Sequence, residues 1–312
     1  MSVTASQVSG AILMVRPKNF GFNAETALTN RFQRAGADAE VGLQARMEFD
    51  ALAAALAAEG VTVCVAEDSE EPRKPDAVFP NNWVSFHADG TVVLYPMQAV
   101  SRRAERRSAI LEQVERDTGF RARRTIDLTH HEQQGRFLEG TGSLVLDHVA
   151  RVAYACRSPR TDETVAREWA EALDYSLELF DATDASGAPI YHTNVVMCVG
   201  SRVALVALDN VAAADRARVA DRLQSSGHDV VGISDAEMNA FAGNMLELGS
   251  WDEHLGDFRI LVMSRTARRA LAPEKFARLN AGVDSVLAAP VDVIERHGGG
   301  SVRCMLAEVF LR

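Results

Sequence analysis

The stretch Phe137-Leu138-Glu139-Gly140-Thr141-Gly142-Ser143-Leu144-Val145-Leu146 is followed at once by an apolar run, Arg151 to Cys156, and then by Thr161-Asp162 and the positions Val165, Trp169 and Leu173. Short apolar runs read as buried strands, and apolar residues four apart behind a Thr or Asp cap read as one face of a helix. Glu139, framed by glycines at the head of the first strand, is the residue out of place. The order is strand, strand, helix, and the chain repeats it.

Ala11 to Val15 reads as a strand, and Leu43 to Ala58 as a helix with Leu43, Met47, Leu52 and Leu56 inward, stopped at Gly60. Val61 to Val65 is the next strand. Asp76 to His87 alternates like a strand but is broken by Pro80-Asn81-Asn82, and Gly90 turns the chain into Thr91 to Tyr95. Ser101 to Thr118 reads as one helix with Ile110, Leu111 and Val114 inward, ending at Gly119. A fourth block opens at Tyr191-His192-Thr193-Asn194-Val195-Val196-Met197, continues with Val203 to Leu208 and a helix near Ala212 to Leu223, and closes with Asp229 to Ile233. The fifth has Gly243-Asn244-Met245-Leu246-Glu247-Leu248, then Arg259 to Met263, then a helix started by Pro273. The pattern is an α/β unit of roughly 45–75 residues repeated about five times, visible in hydrophobic period and not in identity. No proline-, glycine- or serine-rich linker interrupts it, so residues 1–312 read as a single domain.

The chain has 312 residues, is 47% hydrophobic and carries a formal charge of −10. That composition supports a full core and argues against nucleic-acid and anionic-membrane partners, which attract basic faces. No apolar run reaches the length of a membrane span, and Met1 to Gly10 lacks the basic-then-apolar order of an export signal. The four cysteines, Cys64, Cys156, Cys198 and Cys304, are far apart and show no metal-ligand spacing. The expectation is a cytoplasmic protein with reduced thiols and no metal. A homo-oligomer is compatible with this composition.

The chemistry-bearing residues sit at the strand heads. In His297-Gly298-Gly299-Gly300-Ser301-Val302-Arg303-Cys304-Met305, a glycine loop and an arginine precede Cys304. Cys304 is then either a nucleophile beside a fixed positive charge or a small core hydrophobe. Glycine-loop amides in that setting are candidates to pre-organise a site. His192 is either a hydrogen-bonded core residue or a general acid and base. Glu139 is either a turn glutamate or a carboxylate aimed into a cavity. Arg157 and Arg160 read as surface arginines or as a clamp on a substrate carboxylate. Asn81 and Asn82 read as turn residues, and Phe20 and Asn23 as part of a loop that covers a site. His87, His130, His131, His148, His228, His254 and His297 show no usable spacing, and His130-His131 reads as a polar loop. If the units surround an axis, Asn81/Asn82, Glu139, His192 and Cys304 converge on one central cavity.

Taken in order, Phe79-Pro80-Asn81-Asn82-Trp83, Glu139-Gly140-Thr141-Gly142, His192-x-Asn194 and Gly298-Gly299-Gly300-Ser301-Val302-Arg303-Cys304-Met305 resemble the guanidino-group-modifying enzymes. That superfamily holds arginine deiminases, dimethylargininases, amidinotransferases and dihydrolases, and the resemblance is closest to its citrulline-utilisation hydrolases. It covers the chain from about Met14 to the C-terminus. It implies a five-bladed α/β propeller (the pentein fold) with the site on its axis. It implies Cys304 as nucleophile, His192 as acid and base and Glu139 as third member, with no cofactor. Substrate-binding roles fall to Asn82, Asn194, Arg160, Asn81, Asp76 and Arg157, Arg160 matching the family's carboxylate-binding arginine better than Arg157. Arginine deiminases carry aspartates where Asn82 and Asn194 stand. A carboxamide can donate to a neutral ureido oxygen, which a carboxylate cannot. The expected ligand is a small ureido or guanidino amino acid, citrulline first. Arginine deiminase, arginine dihydrolase, amidinotransferase and a non-catalytic binding protein are the alternatives.

Overall fold

The described part of the chain, residues 6–35, 38–252 and 256–311 of a computed structural model, holds fifteen strands, five crossover helices and a set of shorter helical segments. The strands are β1 (Ala11–Arg16), β2 (Thr62–Glu67), β3 (Val84–Phe86), β4 (Thr91–Leu94), β5 (Arg124–Asp127), β6 (Val145–Asp147), β7 (Val152–Cys156) and β8 (Ser176–Phe180). They continue as β9 (Met197–Val199), β10 (Val203–Val206), β11 (Asp229–Gly232), β12 (Leu246–Asp252), β13 (Gly256–Ser264), β14 (Ser285–Ala289) and β15 (Ala307–Glu308). The described strands form five three-stranded sheets, ordered β15-β1-β2, β3-β4-β5, β6-β7-β8, β9-β10-β11 and β12-β13-β14. In every sheet the first strand runs antiparallel to the second and the second parallel to the third.

A parallel pair needs a crossover, and a helix supplies it each time. Asp38–Ala58, Ser108–Thr118, Glu163–Leu173, Ala213–Ser225 and Pro273–Asn280 lie between the second and third strands of their sheets. The helix Glu163–Leu173 shows why. Asp162 caps it by accepting from the amides of Thr164 and Val165, and the chain leaves it at Asp174 in the left-handed region. Val165, Trp169 and Leu173 are buried as their spacing predicts. Trp169 also donates through Nε1 to the Tyr95 hydroxyl at 2.8 Å, which satisfies its polar atom inside the core.

The first sheet differs in one respect. Its leading strand, β15, comes from the C-terminal end and pairs with β1, Ile12 opposite Glu308 and Leu13 opposite Ala307. The fifth unit therefore ends before Cys304, and the Cys304 turn belongs structurally to the first sheet.

Three expectations are corrected. In Asp38–Ala58, Leu43 and Met47 are exposed, and the inward face is Ala45, Phe49, Leu52 and Leu56. Leu43 and Leu52 are nine residues apart, which places them on opposite sides of a 3.6-residue helix. Ser101 to Thr118 is two helices, Val100–Arg103 and Ser108–Thr118, and Arg102 in the first is buried. His130-His131 is not a plain loop: it lies in a helical turn, Thr129–Gln134, with His131 buried and its Nε2 2.7 Å from Glu168. His130, His131 and Glu168 bring ligand-type atoms within 4.8 Å of one another, outside the site described below. His254 lies outside the described residues.

Candidate active site

The polar residues at the strand heads are not on the strands. Each first strand is preceded by a single turn: Pro80–Asn82 before β3, Gly140–Ser143 before β6, Thr193–Val196 before β9, the turn ending at Asn244 before β12, and Val302–Met305 before β15. Glu139 and His192 occupy the position that enters their turns, while Asn82, Asn194 and Cys304 lie within theirs.

Successive turns are clipped to one another. Asn81 Nδ2 donates to Thr141 Oγ1 at 3.3 Å, Thr193 Oγ1 to the Ser143 carbonyl at 2.5 Å, and Asn244 Nδ2 to the Asn194 carbonyl at 3.0 Å. The Cys304 turn packs beside Pro80–Asn82. Gly142 makes the approach possible: a β-carbon there would stand 2.5 Å from Asn82 Nδ2 and 2.7 Å from His192 Nδ1.

Glu139 and His192 form the catalytic-type pair that the sequence suggests. Both are buried, and His192 Nε2 lies 2.9 Å from Glu139 Oε2. Burial works against the charge on Glu139, but Arg160, then His192 and Arg102, outweigh it and hold the carboxyl well below its usual range. Burial pushes His192 down to about 4; Glu139 opposes the shift, while Arg160 and Arg102 add to it. Near neutrality the pair is therefore a carboxylate and a neutral imidazole. An ionised Glu139 requires the proton on Nε2, which leaves Nδ1 as the basic atom of the ring. The second carboxylate oxygen, Oε1, accepts from the Gln98 amide at 3.1 Å and fixes the side chain.

Cys304 is buried, with 3% of its surface exposed. Its sulfur accepts from Asn244 Nδ2 at 3.2 Å and from Asn194 Nδ2 at 3.5 Å. The glycine loop also holds the segment that lies over it. Its carbonyls are engaged: Gly298 O accepts from Gln33 and Asn30, and Gly299 O accepts from Asn30 and the Tyr191 hydroxyl. Its missing side chains make room for Phe79, Phe20 and Asn30. The loop anchors a cover over the site, and Gly298, Gly299 and Gly300 line the cavity beneath it.

That cover is the segment Asn23–Gln33. Asn23 caps the short helix Ala24–Ala27 and donates to Asp76 Oδ2 at 2.8 Å; Thr26 donates to the same oxygen at 2.9 Å. Phe20 is buried against Gly298. Thr26, Asn30, Gln33, Asp76, Asn82, Arg102, Arg160, Tyr191, His192 and Cys304 line one small cavity with room for about one water.

The two candidate arginines separate. Arg160 is buried and lines the cavity, donating to Thr29 Oγ1 at 2.7 Å, to the Thr26 carbonyl at 2.8 Å and to Glu139 at 3.4 Å. Arg157 is outside: its side chain is 39% exposed and pairs with Glu163 and Asp181. Both arginines sit in the loop between β7 and the helix Glu163–Leu173, which turns Arg160 inward and leaves Arg157 at the surface, so Arg160 and not Arg157 is placed for the binding role.

Sequence reasoning missed Arg102 and Asn244. Arg102 is buried, pairs with Glu105 through two bonds of 2.9 Å, and donates to Asn82 Oδ1 at 2.8 Å. Glu105, pushed up to about 7 by burial against the pull of Arg102, completes the pair. An arginine inside a run that reads as an exposed charged helix carries no signal of its own. Asn244 was detectable, as the fifth member of the strand-head set. Several carboxamide and carboxylate atoms here are buried without a partner: Asn82 Nδ2, Asp76 Oδ1, Asn81 Oδ1, Asn194 Oδ1, Asn244 Oδ1 and Gln33 Oε1. Of these, Asn82, Asp76 and Gln33 line the cavity, where a ligand could supply the missing partner.

These features define a hydrolase of guanidino-type carbon–nitrogen bonds in the pentein superfamily. The chain belongs to the family described as N,N dimethylarginine dimethylhydrolase, eukaryotic, whose profile matches residues 16–311. No curated protein matches it by sequence. Among solved structures it resembles the N-terminal domain of ArgZ, an arginine dihydrolase from the ornithine–ammonia cycle in Cyanobacteria, at 18% identity and TM-score 0.73, covering 96% of this chain and 98% of that one. It spans only 41% of the ArgZ chain in another structure of that protein. A dimethylarginine dimethylaminohydrolase variant in adduct with S-methyl-L-thiocitrulline matches at 18% identity and TM-score 0.64, covering 96% of this chain and 99% of that one. At these identities the structural likeness speaks for an α/β fold of five small mixed sheets. Among the described residues no helix is long and apolar enough to cross a membrane.

Proposed function

We propose that this protein hydrolyses the bond between the side-chain nitrogen and the ureido carbon of a ureido amino acid, citrulline to ornithine, ammonia and carbon dioxide, at the axis of a five-bladed propeller. The observation that carries this reading is Asn82. Its Oδ1 is occupied by Arg102, so Nδ2 is a donor, buried, without a partner, at the cavity wall. A ureido oxygen accepts from such a group; a guanidinium, which only donates, does not.

In this mechanism the neutral His192 takes the proton of Cys304, and the thiolate attacks the ureido carbon. The C–N bond to the amino-acid side chain breaks, and His192 returns the proton to the leaving nitrogen. Ornithine departs, and the carbamoyl group stays on sulfur. Water, deprotonated by His192, attacks that carbon; the C–S bond breaks and the thiol is restored. The released carbamate decomposes to ammonia and carbon dioxide. Glu139 stabilises each imidazolium stage. Arg160 takes the substrate carboxylate, and substrate reaches it when Asn23–Gln33 opens, since the cover fills the space an amino acid needs. The active form works without metal or organic cofactor and is cytoplasmic.

A second reading, dihydrolysis of arginine, is favoured by Asp76, whose unpartnered Oδ1 lines the same cavity and suits a cation. The ArgZ likeness points the same way, and the family name adds methylated arginine. Turnover of L-citrulline, L-arginine and N,N-dimethylarginine, with ammonia, dimethylamine, ornithine and citrulline quantified, separates them. Ornithine from citrulline alone supports the first reading. Ornithine from arginine overturns it for the second, and dimethylamine from dimethylarginine overturns both. Amidinotransfer requires turnover to depend on an added amine. A protein inert to all three, with Cys304→Ala indistinguishable from wild type in ligand binding, is a binding protein.

A further inference from the structure

The catalytic pair and its cysteine account for three of the five strand-head turns, and Asn82 accounts for a fourth. Asn244, on the fifth, has no role in that mechanism. It is completely buried. One amide N–H of Nδ2 points to the Cys304 sulfur at 3.2 Å, and the other to the Asn194 carbonyl at 3.0 Å. The carbonyl partner can only accept, so the atom facing the sulfur is the nitrogen. The Asn244 carbonyl oxygen is buried without a partner.

The position is built. Gly243 brings the turn against its neighbour: a β-carbon there would stand 2.2 Å from the Val195 carbonyl oxygen and 3.1 Å from the Met197 amide. The Asn244 amide is bonded in turn to the Phe241 carbonyl, and Phe241 itself takes a positive φ of 63°. A residue that only filled core space would not be a carboxamide, because burying one costs free energy unless its polar atoms are used.

We infer that Asn244 is a catalytic residue whose amide N–H stabilises the negative charge that develops on the Cys304 sulfur as it attacks and as it is released. The surroundings of the sulfur supply the reason. The sulfur is buried, His192 is neutral until it takes the proton, and among the described residues no arginine, lysine or histidine is in hydrogen-bond contact with the sulfur. Two side-chain amide donors, Asn244 at 3.2 Å and Asn194 at 3.5 Å, are what meets it. A hydrogen bond strengthens when its acceptor becomes charged, so the contact favours the thiolate over the thiol. It does the same work when the carbamoyl group leaves and sulfur recovers its charge. Asn194 shares the task from the longer distance, and its position is fixed by Asn244 through the backbone carbonyl.

The inference rests on Cys304 being the nucleophile, but its test does not need a substrate. The rate at which iodoacetamide alkylates Cys304 is measured against pH in the full chain, with peptide mapping to separate Cys304 from the other three thiols. Asn244→Ala is expected to slow alkylation at neutral pH by about tenfold, the worth of one charge-assisted hydrogen bond, and raising the pH should recover the loss. Asn244→Asp, close in shape, should slow it further, because a carboxylate repels the thiolate. Asn244→Ser, which keeps a donor, should fall between. Melting curves of each variant show whether it is folded, and the Asp and Ser variants carry the test if Ala is not. Alkylation profiles of folded variants that superimpose on wild type overturn the role of Asn244. If instead Cys304→Ala retains turnover, the hydrolase mechanism fails while the alkylation result stands by itself.

Discussion

Arg102 donates to Asn82 Oδ1 at 2.8 Å and thereby decides which end of the Asn82 carboxamide faces the site. The guanidinium cannot accept, so the amide nitrogen must point the other way, toward Gly142, His192 and the cavity. Arg102 is held by Glu105, so the orientation of one donor in the site depends on an ion pair behind it.

Asn82→Asp tests that orientation. The carboxylate keeps Arg102 as a partner but replaces the inward N–H with a second acceptor. The value of kcat/KM for citrulline should fall by about tenfold to a hundredfold, and the ratio of guanidino to ureido turnover should rise. Steady-state kinetics on both substrates decides it; unchanged citrulline turnover would remove Asn82 from the ureido oxygen.

Glu139→Gln removes the carboxylate that partners His192 and that pulls its basicity upward. We expect kcat to fall by about a hundredfold or more, the usual range for disabling acid–base catalysis. In the wild type the part of the acid limb owed to His192 lies near 4, not near 6.5, because burial lowers it there. The variant's limb should move further toward acid. A pH profile of kcat/KM with an unmoved limb and undiminished rate would sink the pair.

Arg160 and Arg157 should behave oppositely. Arg160→Ala loses a buried cation over the cavity and should raise KM at least tenfold, with Arg160→Lys recovering part of it. Arg157→Ala removes an exposed ion pair and should leave KM unchanged and stability within about 0.5 kcal/mol. Parallel KM and melting measurements check both; equal KM effects would contradict the separation of the two side chains.

Acid should destabilise the protein from about pH 6.5 downward. Burial lowers His87 to about 4, His148 to about 3 and His192 to about 4. Each binds its proton in the unfolded chain before the folded one, so stability falls as pH drops from 6.5 through these values. Glu105, raised to about 7, acts in the opposite sense between about pH 7 and 4.5, and Glu139, lowered, adds a loss below 4.5. Burial also raises Glu48, Asp76, Glu295 and Glu308, in the same sense as Glu105, and the three histidines, each worth about 1.4 kcal/mol per unit of displacement, are expected to outweigh these carboxyls. Denaturant titrations at pH 7.5, 6, 5 and 4 should show a falling midpoint; a flat series would contradict neutral burial of these rings.

The family resemblance held because its motifs keep their order along the chain. Glu139, His192 and Cys304 were legible as polar interruptions at the heads of apolar runs, where a core strand has no use for them. Arg157 against Arg160 was not, since two arginines three residues apart differ only in which way a loop turns them. Leu43 and Met47 misled because hydrophobicity was counted without the angle between positions; Ala45 and Phe49 own the inward face.

By itself the sequence determined the repeated unit, through local periods of two and 3.6 that each segment carries alone. It also determined the chemistry on offer at each strand head. Only the tertiary structure decided which of those groups meet. That the β15 strand joins the first sheet, that Arg102 reaches Asn82 from twenty residues away, and that Asn244 reaches Cys304 from sixty are consequences of packing five units together. Hydrogen bonds and charges act over a few ångströms of space, and a distance along the chain says nothing about them until the chain has closed on itself.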